Sequence, residues 1–93
     1  MYFSIVGTDK PGRGALRAKT RPAHADYLKP HVGRMLAAGP LLDDSGNPIG
    51  SLLIVDFPDR AAAEEFITND PYTRAGLFES VVVRAWKKIL PEA

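Results

Sequence analysis

The most strand-like part of the chain reads IGSLLIVDF, from Ile49 to Phe57. Aliphatic and β-branched residues dominate it, as is typical of a β-strand. The stretch DDSGNP at positions 43–48 comes just before it and is dense in residues that favour turns. A short strand beginning at Leu41-Leu42 is predicted to lead into that turn. The centre of the chain is therefore predicted to be strand, turn, strand.

Two further elements are predicted on the C-terminal side. Pro58-Asp59 precedes a helical pattern over Arg60–Asn69, and an aspartate there is a good N-cap. The stretch 70–76 indicates a short turn that begins at Pro71. The valine-rich segment Leu77–Leu90 then predicts a final strand.

Two elements are also predicted on the N-terminal side. Tyr2–Thr8 alternates bulky and small residues and predicts a strand, which Lys10–Gly14 would end. A helix is predicted over Pro22–Ala38, with a kink at Pro30, where a backbone hydrogen bond is lost. Gly39-Pro40 is expected to end this helix. Residues 15–20, between the end of the first strand and this helix, are predicted to form either a loop or a loose turn.

The predicted order is β-α-β-β-α-β. This is the split βαβ, or ferredoxin-like, α+β fold, in which a four-stranded antiparallel sheet carries both helices on one face. A chain of 93 residues has room for one such domain, over 1–93.

Both faces of the predicted sheet are apolar. In the strongest strand, one side carries Ile49, Leu53, Val55 and Phe57, and the other carries Leu52 and Ile54. In the last strand, one side carries Phe78, Val82 and Trp86, and the other carries Val81, Val83 and Ile89. Two helices cover only one face, so we expect a second copy of the chain to cover the other in a homodimer.

Composition excludes several classes of function. The chain has no cysteine, which removes disulfides, thiolate metal sites and thiol catalysis. Twelve basic and 11 acidic residues give a net charge of +1, so we expect no nucleic-acid partner. The sequence has no apolar run of transmembrane length and no signal-peptide pattern. We therefore expect a cytoplasmic protein without a membrane partner.

His24 is the first candidate for chemistry near neutral pH. It lies four residues before Leu28 and eight before Val32, on the inward stripe of the predicted helix. Such a histidine is either a core residue bonded to the backbone or a general base. Asp26 cannot orient it, because two residues correspond to about 200° around a helix. His31 is about 10 Å away along the axis, too far for direct contact.

Asp70 is the second candidate. It ends the second helix and precedes a proline, so one interpretation is simply an N-cap for the turn that follows. In a βαββαβ fold, however, the start of the first helix and the end of the second lie at the same end of the sheet. We therefore expect His24 and Asp70 to meet, which would fix the histidine tautomer and leave its other nitrogen free as a general base.

A basic stretch adjoins this pair. It holds five cations and no acid, namely Lys10, Arg13, Arg17, Lys19 and Arg21. One interpretation is a solvated loop. The other is a pocket for an anionic ligand beside the free N–H groups of the helix start, with substrate contacts from Arg17, Arg21, Tyr27 and Tyr72.

No metal site and no cofactor are expected. The two histidines are seven residues apart and match no standard ligand spacing. Neither of the glycine-rich phosphate-binding patterns is present.

Seven segments recur in a characteristic order, namely RPAHADYL at 21–28, GPL at 39–41, GS at 50–51, DPY at 70–72, AGL at 75–77, VVV at 81–83 and Trp86. Through these segments the chain resembles the YciI-like (YCII-related) family along almost its whole length. The resemblance implies a ferredoxin-like fold, a homodimer of the dimeric α+β barrel type and an active site built from His24 and Asp70. The proline- and glycine-rich stretch Lys10–Thr20 departs from the family pattern.

Three functions are compatible with these features. The first is a cofactor-independent enzyme whose His24–Asp70 dyad abstracts a proton for elimination or isomerisation of a small aromatic or anionic compound. The second is a non-catalytic small-ligand-binding or accessory module. The third is a monooxygenase-like protein acting with haem or on quinones, since dimeric α+β barrels also host those.

Overall fold

The computed structural model describes residues 1–92 as strands, helices and short connections. The elements are β1 (Tyr2–Asp9), α1 (Gly14–Leu28), a 3₁₀ helix (Lys29–Arg34), β2 (Met35–Leu42), β3 (Pro48–Asp56), α2 (Arg60–Thr68), α3 (Pro71–Arg74) and β4 (Phe78–Trp86). Within residues 1–92, no helix is long and apolar enough to cross a membrane.

The four strands form one antiparallel sheet in the order β2-β3-β1-β4. In the central strand, Ile5 lies opposite Leu53 of β3 and Val83 of β4. One face of the sheet packs against α2 and the end of α1, and the core between them is formed by Phe3, Ile5, Leu53, Val55, Phe57, Ala63, Phe66 and Ile67. The predicted ferredoxin-like α+β fold is therefore confirmed.

The first helix lies earlier in the chain than predicted. It begins at Gly14, Pro22 lies in its interior, and the α-helix ends at Leu28. Arg17 fixes its first turns, because its buried guanidinium donates hydrogen bonds to Asp9 of β1. The stabilisation from this contact exceeds the cost of the backbone hydrogen bond that is lost at Pro22. Pro30 does not kink a long helix but lies at the second position of the 3₁₀ segment, because a proline has no N–H to donate to the carbonyl of Asp26 and so cannot continue the α-helix.

The residues predicted to end that helix form β2 instead. Ala38 lies opposite Leu53 and Gly39 opposite Leu52, so pairing with β3 outweighs the helical pattern of this stretch. Pro40 is tolerated because β2 is an edge strand, where a missing N–H is not needed by a neighbour.

The last strand is shorter than predicted, ending at Trp86. The register between β1 and β4 shifts at Thr8/Asp9. Side chains of β4 beyond this shift point to the opposite face of the sheet from the one that regular alternation predicts. Phe78 therefore packs towards the core and does not lie on the same side as Val82 and Trp86.

The helix-free face of the sheet carries a row of apolar and aromatic side chains. Tyr2 and Trp86 are opposite each other, with ring centroids 6.0 Å apart in an edge-to-face arrangement. Val6, Leu52 and Val82 continue this surface across the middle of the sheet. Val82 is 37% exposed, so the face is only partly protected from water within one chain.

Glycines allow β1 and β3 to approach closely. A Cβ added at Gly50 would lie 2.5 Å from the carbonyl oxygen of Gly7, which is backbone and cannot move aside. A Cβ added at Gly7 would lie 2.6 Å from the Phe78 ring. Both positions are buried. At position 50 the sheet requires glycine because the obstacle is backbone, whereas a larger residue at position 7 would require the Phe78 ring to shift.

This close approach gives a testable stability difference. Gly50→Ala is expected to lower the free energy of unfolding by about 1–3 kcal/mol, because the added methyl group overpacks two paired strands. Gly39→Ala is the matched control on β2, since nothing lies within 4 Å of its added Cβ, and it is expected to stay within about 0.5 kcal/mol of the parent. Urea titrations measure both. Equal stabilities of the two variants would contradict the steric argument.

Candidate active site

His24 and Asp70 lie in direct contact although 46 positions separate them. His24 projects from the third turn of α1, and Asp70 lies between α2 and α3. The His24 Nδ1 atom is 2.9 Å from each of the two Asp70 carboxylate oxygens. The topology thus brings together the two residues expected to meet, and their catalytic role stays a prediction.

Asp70 serves two structural purposes at once. One of its oxygens accepts a 2.8 Å hydrogen bond from the Tyr72 backbone N–H, which caps α3. The same carboxylate, which is 0% exposed, accepts the hydrogen bond from His24. The two interpretations considered for Asp70, helix cap and histidine partner, are therefore compatible. Asp26 lies away from this pair and contacts Lys29 on the surface.

The hydrogen-bond partner determines the tautomer of His24. An ionised carboxylate can only accept hydrogen bonds, so Nδ1 carries the proton and Nε2 keeps its lone pair. Within residues 1–92, Nε2 makes no hydrogen bond, and the ring lines a cavity. The geometry provides a nitrogen able to accept a proton from a bound molecule.

Tyr72 packs between the histidine and a buried cation. Its ring stacks on His24 with centroids 4.0 Å apart, and the Cζ atom of Arg17 lies 4.5 Å from its centroid. Burial raises the pKa of the Tyr72 phenol above its ordinary value, and the charge of Asp70 adds to this against the opposing charges of Arg17 and Arg21.

Arg17 is held by two residues that were not predicted to belong to the site, Asp9 and Ser51. Its Nε and Nη2 atoms donate to the two oxygens of Asp9 at 2.6 and 2.9 Å, and Nη2 also donates to Ser51 Oγ at 2.8 Å. Although burial alone would lower the pKa of Arg17, the hydrogen bond and charge of Asp9 raise it above its usual value. The sequence signal for Ser51 is its polar side chain in the otherwise apolar inward row of β3.

A cleft of about 590 Å³ separates α1 from β2 and β3. Its polar end is formed by Arg17, Arg21, His24, Ser51 and Tyr72. Its remaining wall is mostly small or apolar and consists of Gly14, Ala18, Ala25, Leu28, Ala38, Gly39, Pro40, Asn47, Pro48 and Leu53. Because Ala38 was predicted as helix and Gly39-Pro40 as the end of that helix, their contribution to this wall could not be foreseen.

The structure places the other predicted site residues differently. Arg21 lines the cleft, as proposed for substrate contact. Tyr27 does not, because its hydroxyl donates to the Phe66 carbonyl at 2.7 Å and its ring stacks on Phe66. His31 lies with Tyr27 beside a separate shallow depression. The free N–H groups expected beside His24 lie elsewhere, because α1 begins ten residues before it, at Gly14.

A family model supports the relationship suggested by the sequence. The model for the YCII-related domain matches residues 1–87. Protein YciI from Escherichia coli O6:H1 is 36% identical over 97 aligned positions, which cover 96% of this chain and 99% of that protein. A protein from Haemophilus influenzae is 35% identical, with the same coverage of each chain.

Solved structures show the same fold. The 5-chloro-2-hydroxyhydroquinone dehydrochlorinase TftG from Burkholderia phenoliruptrix AC1100, in complex with 2,5-dihydroxybenzoquinone, superposes with a TM-score of 0.88. It is 35% identical, and the match covers 94% of both chains. SnoaB, a cofactor-independent oxygenase from Streptomyces nogalater, superposes with a TM-score of 0.57 at 14% identity over 98% of this chain and 96% of that one. The second similarity concerns the fold alone.

The shifted phenol of Tyr72 predicts a loss of stability in alkali. A pKa raised on folding contributes stability that is present below the unfolded value, about 10, and is lost as pH rises through the folded value. We expect the free energy of unfolding to fall between pH 8 and pH 11, and Tyr72→Phe to reduce that fall. Tyr27, whose pKa is also raised by burial, should account for part of the remainder. Chemical denaturation at pH 8 and pH 11 measures the free energy of unfolding of parent and variant. An identical fall in the two proteins would contradict the assignment to Tyr72.

Proposed function

Because the chain belongs to the YCII-related family, we propose that it is a cofactor-independent enzyme that acts on a small aromatic or anionic compound. The observation that carries this proposal is the 2.9 Å contact of His24 Nδ1 with both oxygens of buried Asp70, beside a cleft of ligand size. His24 acts as general base through Nε2, and Asp70 stabilises the imidazolium that forms.

The reaction class follows from what such a base can do. His24 takes a proton from a C–H or O–H group of the substrate, and the electron pair left behind either expels a leaving group as an anion or moves along the conjugated system. The first outcome is an elimination and the second an isomerisation. The proton held on Nε2 is then released to the leaving group, to another substrate atom or to water.

The similarity to TftG favours elimination. Its name describes loss of hydrogen chloride from a chlorinated hydroxyhydroquinone, and its complex contains a dihydroxyquinone. The cleft here combines apolar walls at Leu28 and Leu53 with polar groups at His24 and Tyr72. That combination suits a flat ring with oxygen substituents.

A chloride-release assay tests the dyad. With 5-chloro-2-hydroxyhydroquinone, and after subtraction of spontaneous release, His24→Ala and Asp70→Asn are each expected to lower kcat by about 10²–10⁴-fold. Asp26→Asn is the matched control, because this aspartate lies two residues from His24 but contacts only the exposed Lys29. Asp26→Asn should keep parental activity. Circular dichroism confirms that each variant is folded.

Two results would contradict the enzymatic proposal. Turnover that His24→Ala retains at the level of Asp26→Asn would exclude His24 as the base. Binding of 2,5-dihydroxybenzoquinone without chloride release by the parent would favour the alternative, a non-catalytic ligand-binding module.

We further propose that two copies of the chain pair through the helix-free face of the sheet. Tyr2, Val6, Leu52, Ile54 and Trp86 are partly buried there in one chain and make an apolar surface that no helix covers. In most homodimers the same surface of each copy pairs with itself about a two-fold axis, and this face of the sheet could do so. A domain this small also gains the most from further apolar burial.

Sedimentation tests the dimer. At micromolar concentration the parent is expected to sediment as a dimer, and Val82→Glu as a monomer, because a charge would be buried in the paired faces. Val32→Glu is the control, since Val32 is 62% exposed in the 3₁₀ helix, away from this face, and it should remain dimeric. A monomeric parent would refute the proposal.

A further inference from the structure

The hydrogen bond to Asp70 fixes the edge of the His24 ring more firmly than its plane. His24 Nδ1 is 2.9 Å from each carboxylate oxygen, so its proton is shared between two acceptors. Oxygens accept hydrogen bonds over a broad range of directions, and the terminal torsion of a histidine side chain has broad minima. The imidazole can therefore tilt while Nδ1 stays bonded, and a second contact is needed to aim Nε2.

The Tyr72 ring makes that second contact. It lies against the face of the imidazole, with ring centroids 4.0 Å apart and the two planes inclined by 20°. A tilt of the imidazole would open this stack on one side and force ring atoms together on the other. Tyr72 cannot follow such a tilt, because it is buried and its ring also packs against the Arg17 guanidinium and, edge to face, against Phe78.

Both contacts to His24 come from one short segment, Asp70-Pro71-Tyr72. The Tyr72 backbone N–H donates a 2.8 Å hydrogen bond to the Asp70 carboxylate, and the ring of Pro71 between them fixes its own φ. The carboxylate that bonds the edge of the imidazole and the ring that covers its face are therefore held in a fixed relation. This segment restrains His24 both in the plane of its ring and across it.

We infer that Tyr72 is a positioning residue for His24, and that its aromatic ring, not its hydroxyl, keeps the imidazole oriented with Nε2 towards the cleft. This inference rests on the proposed function, in which Nε2 is the general base. It gives Tyr72 a role that differs from the substrate contact expected from the sequence. The Nε2 lone pair accepts a proton along one direction, so a small tilt of the ring slows proton transfer.

Nitrogen NMR of the His24 ring tests this positioning without turnover. Long-range proton–nitrogen spectra of the ¹⁵N-labelled protein are followed into mild alkali until they stop changing with pH, and the spectrum of His24→Ala separates the signals of His24 from those of His31. One fixed tautomer gives two widely separated nitrogen shifts, and interconverting tautomers bring the shifts together. The parent is expected to show a protonated Nδ1 and a bare Nε2.

The variants then separate the ring of Tyr72 from its hydroxyl. Tyr72→Leu is expected to bring the two shifts together and to lower kcat for chloride release by about 10–100-fold at saturating substrate. Tyr72→Phe keeps the ring and should match the parent in both measurements. Phe78→Leu is the matched control, because it truncates an aromatic side chain that packs on Tyr72 outside the cleft, and it should keep the parental shifts. Tyr72→Met replaces Tyr72→Leu if circular dichroism shows the latter to be unfolded.

Four results would overturn the inference: averaged shifts in the parent, separated shifts in Tyr72→Leu or its methionine replacement, averaged shifts in Tyr72→Phe, or equal averaging in Phe78→Leu. The last would assign the effect to a general loosening of the core. Because the spectra need no turnover, a parent that releases no chloride would refute the proposed enzyme and leave the orientation of His24 measurable. Conversely, failure here leaves the chloride-release results for His24 and Asp70 intact.

Discussion

Helix α1 is held to the rest of the fold by two carboxylates withdrawn from water. Asp9 holds Arg17 near the start of the helix, and Asp70 holds His24 two turns later. A buried carboxylate is stable only when its oxygens are paired, so each of these contacts is hard to give up once the chain has closed around it. Helix α1 consequently lies where the two acids place it, and the cleft beside it takes its shape from that position.

Most of the fold was predictable because its signals are local. The strand around Ile54 and the helix capped by Asp59 were located to within a residue or so, since alternation, β-branching and a side-chain cap act over a few positions. The first helix was misplaced because its start depends on Asp9, eight residues before Arg17. The strand predicted from Leu41 is present, but β2 begins earlier, at Met35, because pairing with β3 outweighs the helical pattern of residues 35–38. Such long-range contacts leave no periodic trace in the sequence.

The residues of the candidate site also divide into those that the sequence predicted and those that depend on contacts between distant parts of the chain. His24 and Asp70 were expected to meet because His24 was placed at the start of the first helix. They do meet, but His24 lies ten residues after the start of α1, and Arg21 and Tyr72 line the same cleft. Tyr27 was expected to join them because it follows His24 in sequence, but three residues turn a helix by about 300°, and its hydroxyl instead bonds the backbone of α2. Proximity in sequence was a weaker guide than helical phase. Asp9 was missed because its role depends on its pairing with Arg17, whereas Ser51 could be noticed only as a polar residue in an apolar row.

The cleft itself is built from small side chains where larger ones would fit. Ala18 and Ala25 face it from α1, and Ala38 and Gly39 face it from β2. Larger apolar residues at these positions would bring the helix and the strands into contact and add burial worth about 25 cal/mol per Å². The small side chains forgo that apolar burial, and α1 is held instead by the contacts of Arg17 with Asp9 and of His24 with Asp70. A gap kept open by small residues, and kept rigid at one end by the buried Arg17–Asp9 ion pair and the His24–Asp70 hydrogen bond, is the arrangement expected where a ligand supplies the missing apolar contact.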